Sequence, residues 1–131
     1  MGNTTIVYVE DEPDYQKLVS KVLGDAGFMI HLAGTGREGF QLLERQTPDL
    51  HLLDINLPDI SGFEVLKILR EDAKTTHIPV VALSANAMPL DIERGLKAGF
   101  LRYLTKPIKI NEFFDALDEA LNLAEKRVSR N

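Results

Sequence analysis

The chain has no cysteine, so disulfide frameworks and thiolate metal sites are excluded. Its three histidines, His31, His51 and His77, are scattered without ligand spacing; they read as structural, and no zinc site is expected. No apolar run approaches the roughly 18 residues that a membrane helix needs. The N-terminus shows no basic segment leading into an apolar one, so no signal peptide is expected. Basic residues are in deficit, 15 Lys and Arg against 20 Asp and Glu, for a net charge of −5. That balance argues against direct nucleic-acid binding, which calls for basic patches. Internal repeats, low-complexity tracts and linkers are absent too. What remains is 131 residues with 44% apolar and 27% charged content, the profile of one soluble, cytoplasmic globular domain with no membrane insertion.

The most informative stretch is His51-Leu52-Leu53-Asp54-Ile55-Asn56-Leu57-Pro58-Asp59. An apolar run ending on one carboxylate, with a proline loop at once behind it, reads as a buried strand delivering Asp54 to the edge of a parallel sheet. The rest of the chain follows the same rhythm. Thr4 to Val9 is β-branched and aromatic, a first strand closed by Glu10-Asp11-Glu12. Pro13 suits the opening turn of a helix, where a missing N–H costs nothing. Tyr15, Leu18, Val19, Val22, Leu23 and Ala26 then recur on one helical face up to a stop at Gly27. Residues 28–32 form a second strand. Thr35-Gly36-Arg37-Glu38 has capping-box form and opens a helix that turns Phe40, Leu42 and Leu43 inward and ends by Pro48.

Leu50 to Leu53 is strand three, and Ser61-Gly62-Phe63-Glu64 is a second capping box before Val65, Leu66, Ile68 and Leu69. Ile78 to Leu83 is strand four, ended by Ser84. Pro89 starts a helix with Ile92, Leu96 and Ala98 as its apolar members and Gly99 as its stop. Phe100 to Leu104 is strand five, cut off by Lys106-Pro107. Phe113, Phe114, Leu117, Ala120, Leu121 and Ala124 carry the last helix, which fades into a polar tail over 125–131. Five strands alternating with five helices predict a doubly wound parallel sheet with right-handed crossovers, and a core spanning about 4–124.

A parallel sheet gathers its strand C-termini on one edge, where ligands of such folds sit. Neighbouring strands run about 4.8 Å apart, so Asp11 and Asp54 reach one cation if strands one and three adjoin. Three carboxylates (Glu10, Asp11, Asp54) in one place repel one another, and Lys106 or a divalent metal must offset them. Hard oxygen donors suit Mg²⁺. Taken singly, each residue also has an ordinary explanation: a turn aspartate, a helix-start acid cluster, a capping serine, a solvated lysine. The four arrivals at the ends of four strands are what single them out.

Glu10-Asp11, Asp54, Ser84 and Lys106-Pro107 together resemble the receiver domain of two-component response regulators, over Thr4 to about Ala124. The resemblance implies a flavodoxin-like five-stranded sheet of order 2-1-3-4-5. It implies a phosphoryl group passed from a histidine kinase or histidine phosphotransfer protein to Asp54. Asp11 and Asp54 would bind Mg²⁺ directly, Glu10 through water, and Asn56 through its backbone carbonyl. Glu10 departs from the aspartate more usual there by one methylene, which leaves the metal role intact. Lys106 and Ser84 would pair with phosphoryl oxygens, Pro107 would follow a cis peptide, and Asn56 and Asn86 would tune the lifetime of the acyl phosphate. Tyr103 matches the family's switch aromatic, whose ring follows Ser84 and reshapes helix four, strand five and helix five.

The implied role is a phosphoacceptor in signalling, not an enzyme. An aspartyl-phosphate phosphatase on a similar sheet would want a second acid two residues past the nucleophile, where this chain has Asn56. A flavin module would want a Ser/Thr/Gly-rich phosphate loop where this chain has Glu10-Asp11-Glu12-Pro13. The run from Ala85 to Pro107 resembles receivers fused behind sensor kinases, so a module of a hybrid kinase stands as the alternative to a free-standing regulator.

Overall fold

The computed structural model describes residues 4–129, with side chains described as far as Asn122. Strands β1 (Thr5–Val9), β2 (Met29–Ala33), β3 (Leu50–Asp54), β4 (Val80–Ser84) and β5 (Arg102–Thr105) alternate with helices α1 (Pro13–Asp25), α2 (Gly36–Arg45), α3 (Gly62–Glu71), α4 (Pro89–Ala98) and α5 (Ile110–Ser129). All pairings are parallel, in the order β2-β1-β3-β4-β5. This is the flavodoxin-like arrangement that the family resemblance implies. Val9 pairs with Leu53, Asp54 with Leu83 and Ser84 with Thr105, so the ends of β1, β3, β4 and β5 come level on one edge.

The two-residue period of the strands sorts the core into two layers. Ile6, Tyr8, Leu50, Leu52, Val81 and Leu83 face Val19 and Leu23 of α1 and Phe113 and Leu117 of α5. Val7, Val9, Leu53, Val80 and Ala82 face Val65, Leu66 and Leu69 of α3. Every residue of β3 and β4 is buried, which accounts for their lack of polar alternation; the polar members are His51 within β3 and Asp54 and Ser84 at the strand ends. Each large aliphatic side chain so enclosed contributes about 1.5–3 kcal/mol.

Helix boundaries follow the sequence signals. Thr35 and Ser61 cap α2 and α3 by accepting from the Glu38 and Glu64 N–H groups at 3.1 and 3.3 Å, caps worth about 1 kcal/mol each. The N-terminus of α2 has a second acceptor that comes from the loop behind β3. Asp59 takes the Gly36 and Arg37 N–H groups, both at 2.9 Å. Although burial pulls the other way, those donors hold the Asp59 carboxyl below its ordinary range.

Several expected positions shift. Leu18, Ile68 and Leu96 are exposed by 45%, 43% and 47% rather than turned inward, and Ala26 lies past the end of α1. In α4 the buried residue is Gly95, because that helix rests its backbone on the Tyr103 ring; Leu96 and Ala98 are thereby rotated outward. Strand β4 begins at Val80 rather than Ile78, whose N–H is taken by Thr75 in the preceding turn. Phe100 packs in the core just ahead of β5. Helix α5 runs on to Ser129, so residues 125–129 of the expected tail are helical in backbone. The side chain of Ala124 and residues 130–131 lie outside the described residues.

Candidate functional site

The edge formed by the strand ends collects four carboxylates around one ammonium group. Glu10 follows β1 directly and has no exposed surface; Asp54 closes β3 at 4% exposure. Lys106, one residue beyond β5, reaches back to both. Its Nζ lies 3.0 Å from Glu10 Oε1, 3.1 Å from Glu12 Oε2 and 3.3 Å from Asp54 Oδ2. The same group sits 4.4 Å from the centre of the Tyr15 ring, a cation–π contact. The Lys106–Pro107 peptide bond is cis. Asp11 is exposed, yet Glu10, Asp11 and Asp54 each offer an oxygen within 4.8 Å of the others.

The backbone around Asp54 is tightly drawn in. Asp54 Oδ1 accepts the Asn56 N–H at 3.0 Å. Gly62 N–H donates to the Ile55 carbonyl at 2.7 Å, and a Cβ on Gly62 would stand 2.7 Å from Ile55 Cα. Only glycine lets the start of α3 close on the acid this way.

Burial dominates the electrostatics. It pushes the Glu10 carboxyl up to about 7; the adjoining Asp54 adds to the shift and Lys106 opposes it. Burial alone would lower Lys106, but Glu10, Asp54 and Glu12 outweigh it and hold the ammonium protonated. Tyr8, buried beneath the site, donates to Glu10 Oε1 at 3.0 Å, and burial with that carboxylate raises its phenol far above the ordinary range. Three converging carboxylate oxygens, one of them on a carboxyl displaced upward by burial and then by its acidic neighbour, fit a hard divalent cation such as Mg²⁺.

Ser84 and Tyr103 form a second group, joined through one loop residue. Ser84 Oγ accepts the Asn86 N–H at 3.0 Å, and Tyr103 Oη donates to the Asn86 carbonyl at 2.7 Å. Asn56, Asn86, Tyr103 and Arg94 border a cleft of about 380 Å³ beside the acids. A cleft of about 430 Å³ between the C-terminal ends of α2 and α3, near Arg45 and Asp72, opens at the opposite edge of the sheet and has no part in this chemistry.

Three residues in the site were not singled out in the sequence: Glu12, Tyr15 and Tyr8. Strand alternation offered a signal for Tyr8, since Glu10 stands two residues on, just past the end of β1. Nothing local marks Glu12 or Tyr15, because their partner Lys106 is more than ninety positions away.

The sequence matches the family model for the response regulator receiver domain over residues 6–118. It is 36% identical over 117 residues to the polar-differentiation response regulator DivK of Brucella ovis, covering 89% of this chain and 95% of that one. A receiver domain of the sensor histidine kinase PA1611 from Pseudomonas aeruginosa, solved with magnesium in its active-site cleft, superposes with a TM-score of 0.84 at 31% identity, over 92% of this chain and 99% of that one. The chemotaxis response regulator CheY4 of Vibrio cholerae does so with a TM-score of 0.83 at 26% identity, covering 90% and 98%.

Proposed function

The chain belongs to the response regulator receiver-domain family, a phosphorelay signalling module, and we propose that Asp54 is the residue on which it carries its phosphoryl group. One observation carries this reading: Asp54 alone ends the central strand of the acid edge while bonded to Lys106 and grouped with Glu10 and Asp11. The donor is a phosphohistidine, on a histidine kinase or a phosphotransfer protein of the cytoplasm. An Asp54 oxygen attacks phosphorus, the P–N bond breaks, and its electron pair returns to the imidazole, which takes a proton. The product is an acyl phosphate.

Transfer of this kind needs alignment and charge stabilisation more than covalent help. Glu10, Asp11 and Asp54, with the Asn56 carbonyl, would hold Mg²⁺, which when bound supplies positive charge to the phosphoryl oxygens. Lys106 turns from its carboxylates to a second oxygen and the Ser84 hydroxyl to a third. The side chains of Asn56 and Asn86, at the mouth of the cleft, govern how readily water reaches the product. Asn56 offers no proton to a leaving group, which disfavours a phosphatase. Similar proteins include both a response regulator and the receiver of a sensor kinase, which gives a hybrid-kinase origin no preference. Among the described residues no helix is long and apolar enough to cross a membrane.

The test is incorporation from a small acyl or amidate phosphodonor. One phosphoryl group per chain should appear with Mg²⁺, little without it, and hydroxylamine should release it. A label that resists hydroxylamine would move the site to another residue type.

The switch follows from the Ser84–Asn86–Tyr103 linkage. A Ser84 hydroxyl turned to the phosphoryl group releases the Asn86 N–H, and the Tyr103 hydroxyl loses its fixed acceptor. The ring is then free to leave α4, where it now covers Gly95. A Cβ on Gly95 would overlap Tyr103 Cδ2 and stand 2.9 Å from Cε2. Gly95→Ala should therefore expel the ring without phosphorylation, at an overpacking cost of about 1–3 kcal/mol. Amide shifts over 89–106 in the unphosphorylated variant should move toward those that a phosphoryl mimic with Mg²⁺ produces in the wild type. Shifts that leave that line would mean Tyr103 is packing only.

A further inference from the structure

The glutamate at position 10 has a partner that an aspartate there would not reach. Tyr8 of β1 and Glu10, the residue just after that strand, are both without exposed surface, and the phenol donates to Glu10 Oε1 at 3.0 Å. A glutamate side chain is one methylene longer than an aspartate, and that added reach is what the contact with the phenol uses. Oε1 also faces Lys106 Nζ at 3.0 Å, while Oε2 takes the Glu12 N–H at 3.3 Å and Lys106 at 3.1 Å. The main-chain carbonyl of Glu10 is bonded in turn by the Gln16 amide. Among the described contacts to the carboxylate itself, the Tyr8 hydroxyl is the neutral side-chain donor; the others come from the Lys106 ammonium and the Glu12 backbone.

We propose that Tyr8 is a positioning residue of the metal pocket: its hydroxyl fixes the Glu10 carboxylate in the orientation that serves a divalent cation, and Glu10 is a glutamate in order to reach it. The proposal rests on the reading above that Glu10, Asp11 and Asp54 hold Mg²⁺. Outer hydrogen-bond partners of metal-binding groups characteristically change affinity by 10- to 100-fold when removed. A hydroxyl that merely satisfied its own burial would leave that affinity untouched.

A double-mutant cycle separates the two. Mg²⁺ dissociation constants are measured by titration calorimetry, with no phosphodonor, for wild type, Tyr8→Phe, Glu10→Asp and the double variant. Tyr8→Phe should weaken Mg²⁺ about tenfold in the Glu10 background and by less than twofold in the Glu10→Asp background. An unchanged constant in Tyr8→Phe, or an equal loss in both backgrounds, overturns the proposal while leaving the pocket intact. Absence of saturable Mg²⁺ binding in the wild type overturns the pocket itself. Should Tyr8→Phe melt too low to titrate, Tyr8→Leu takes its place in the same cycle. It should weaken Mg²⁺ in the Glu10 background and by less than twofold in the Glu10→Asp background, and an equal change in both overturns the proposal.

Discussion

Asp54→Asn accepts no phosphoryl group from any donor, small molecule or phosphohistidine, and this is the expected result whatever the concentration of Mg²⁺. The amide nitrogen has no lone pair to offer phosphorus, and the amide oxygen is a far poorer nucleophile than a carboxylate. The substitution is nearly isosteric, so the fold should survive it. The carbonyl oxygen can still accept the Asn56 N–H, and Lys106 keeps Glu10 and Glu12 when it loses Asp54. Loss of activity is thus not confused with loss of structure. The variant also has an electrostatic signature. Asp54 is one of the causes that push Glu10 up to about 7, so neutralising it should bring the Glu10 titration down toward the ordinary carboxyl range. Side-chain carbonyl chemical shifts followed against pH would report this. Label persisting in Asp54→Asn, or a Glu10 titration that does not move, would show that the acids do not act as one site.

Much of this arrangement is legible in the chain, and the reasons differ by residue. The capping boxes at Thr35 and Ser61 place helix starts because the bonds they encode span three residues. Asp54, Ser84 and Lys106 stand out because each ends an apolar run, and a parallel sheet converts that position into proximity. Strand order came from the family resemblance; alternation alone leaves several orders open. What the periodicity of α1, α3 and α4 cannot supply is the centre of the buried face. Leu18, Ile68 and Leu96 lie at the edges of their apolar stripes and face outward, and in α4 a glycine occupies the centre because an aromatic ring from β5 packs there. Glu12 and Asp59 were hidden for another reason. One answers Lys106 and the other the start of α2, each across a distance in sequence that no local pattern spans.

His51 carries a large expected stability effect outside the site. It lies in the middle layer of the sheet, paired in register with Val7 and Val80, and is 1% exposed. Neither ring nitrogen has a hydrogen-bond partner among the described residues. Burial, with the Arg70 guanidinium second, lowers its pKa from 6.5 to about 4. The unfolded chain therefore binds the extra proton first as pH falls, and stability is lost between about 6.5 and 4, by as much as about 3 kcal/mol. Glu10 acts in the opposite sense in the metal-free protein. Its folded pKa is raised from 4.5 to about 7, so its contribution is full at low pH and lost as pH rises through that window. The two slopes oppose each other, and metal-free wild type should show a shallow pH profile between about 4.5 and 6.5. His51→Leu removes one of them. At neutral pH it should gain about 1–3 kcal/mol by replacing unpaired buried nitrogens with an apolar side chain of similar size. The gain should grow further as pH falls toward 4.5, and the variant should now lose stability steadily as pH rises, because the Glu10 slope stands alone. Urea midpoints measured in chelator across pH 4.5–7.5, at constant m-value, decide it. A gain that is the same at every pH would mean that His51 is not held neutral by the fold, and that the opposing slope of Glu10 has no counterpart in the core.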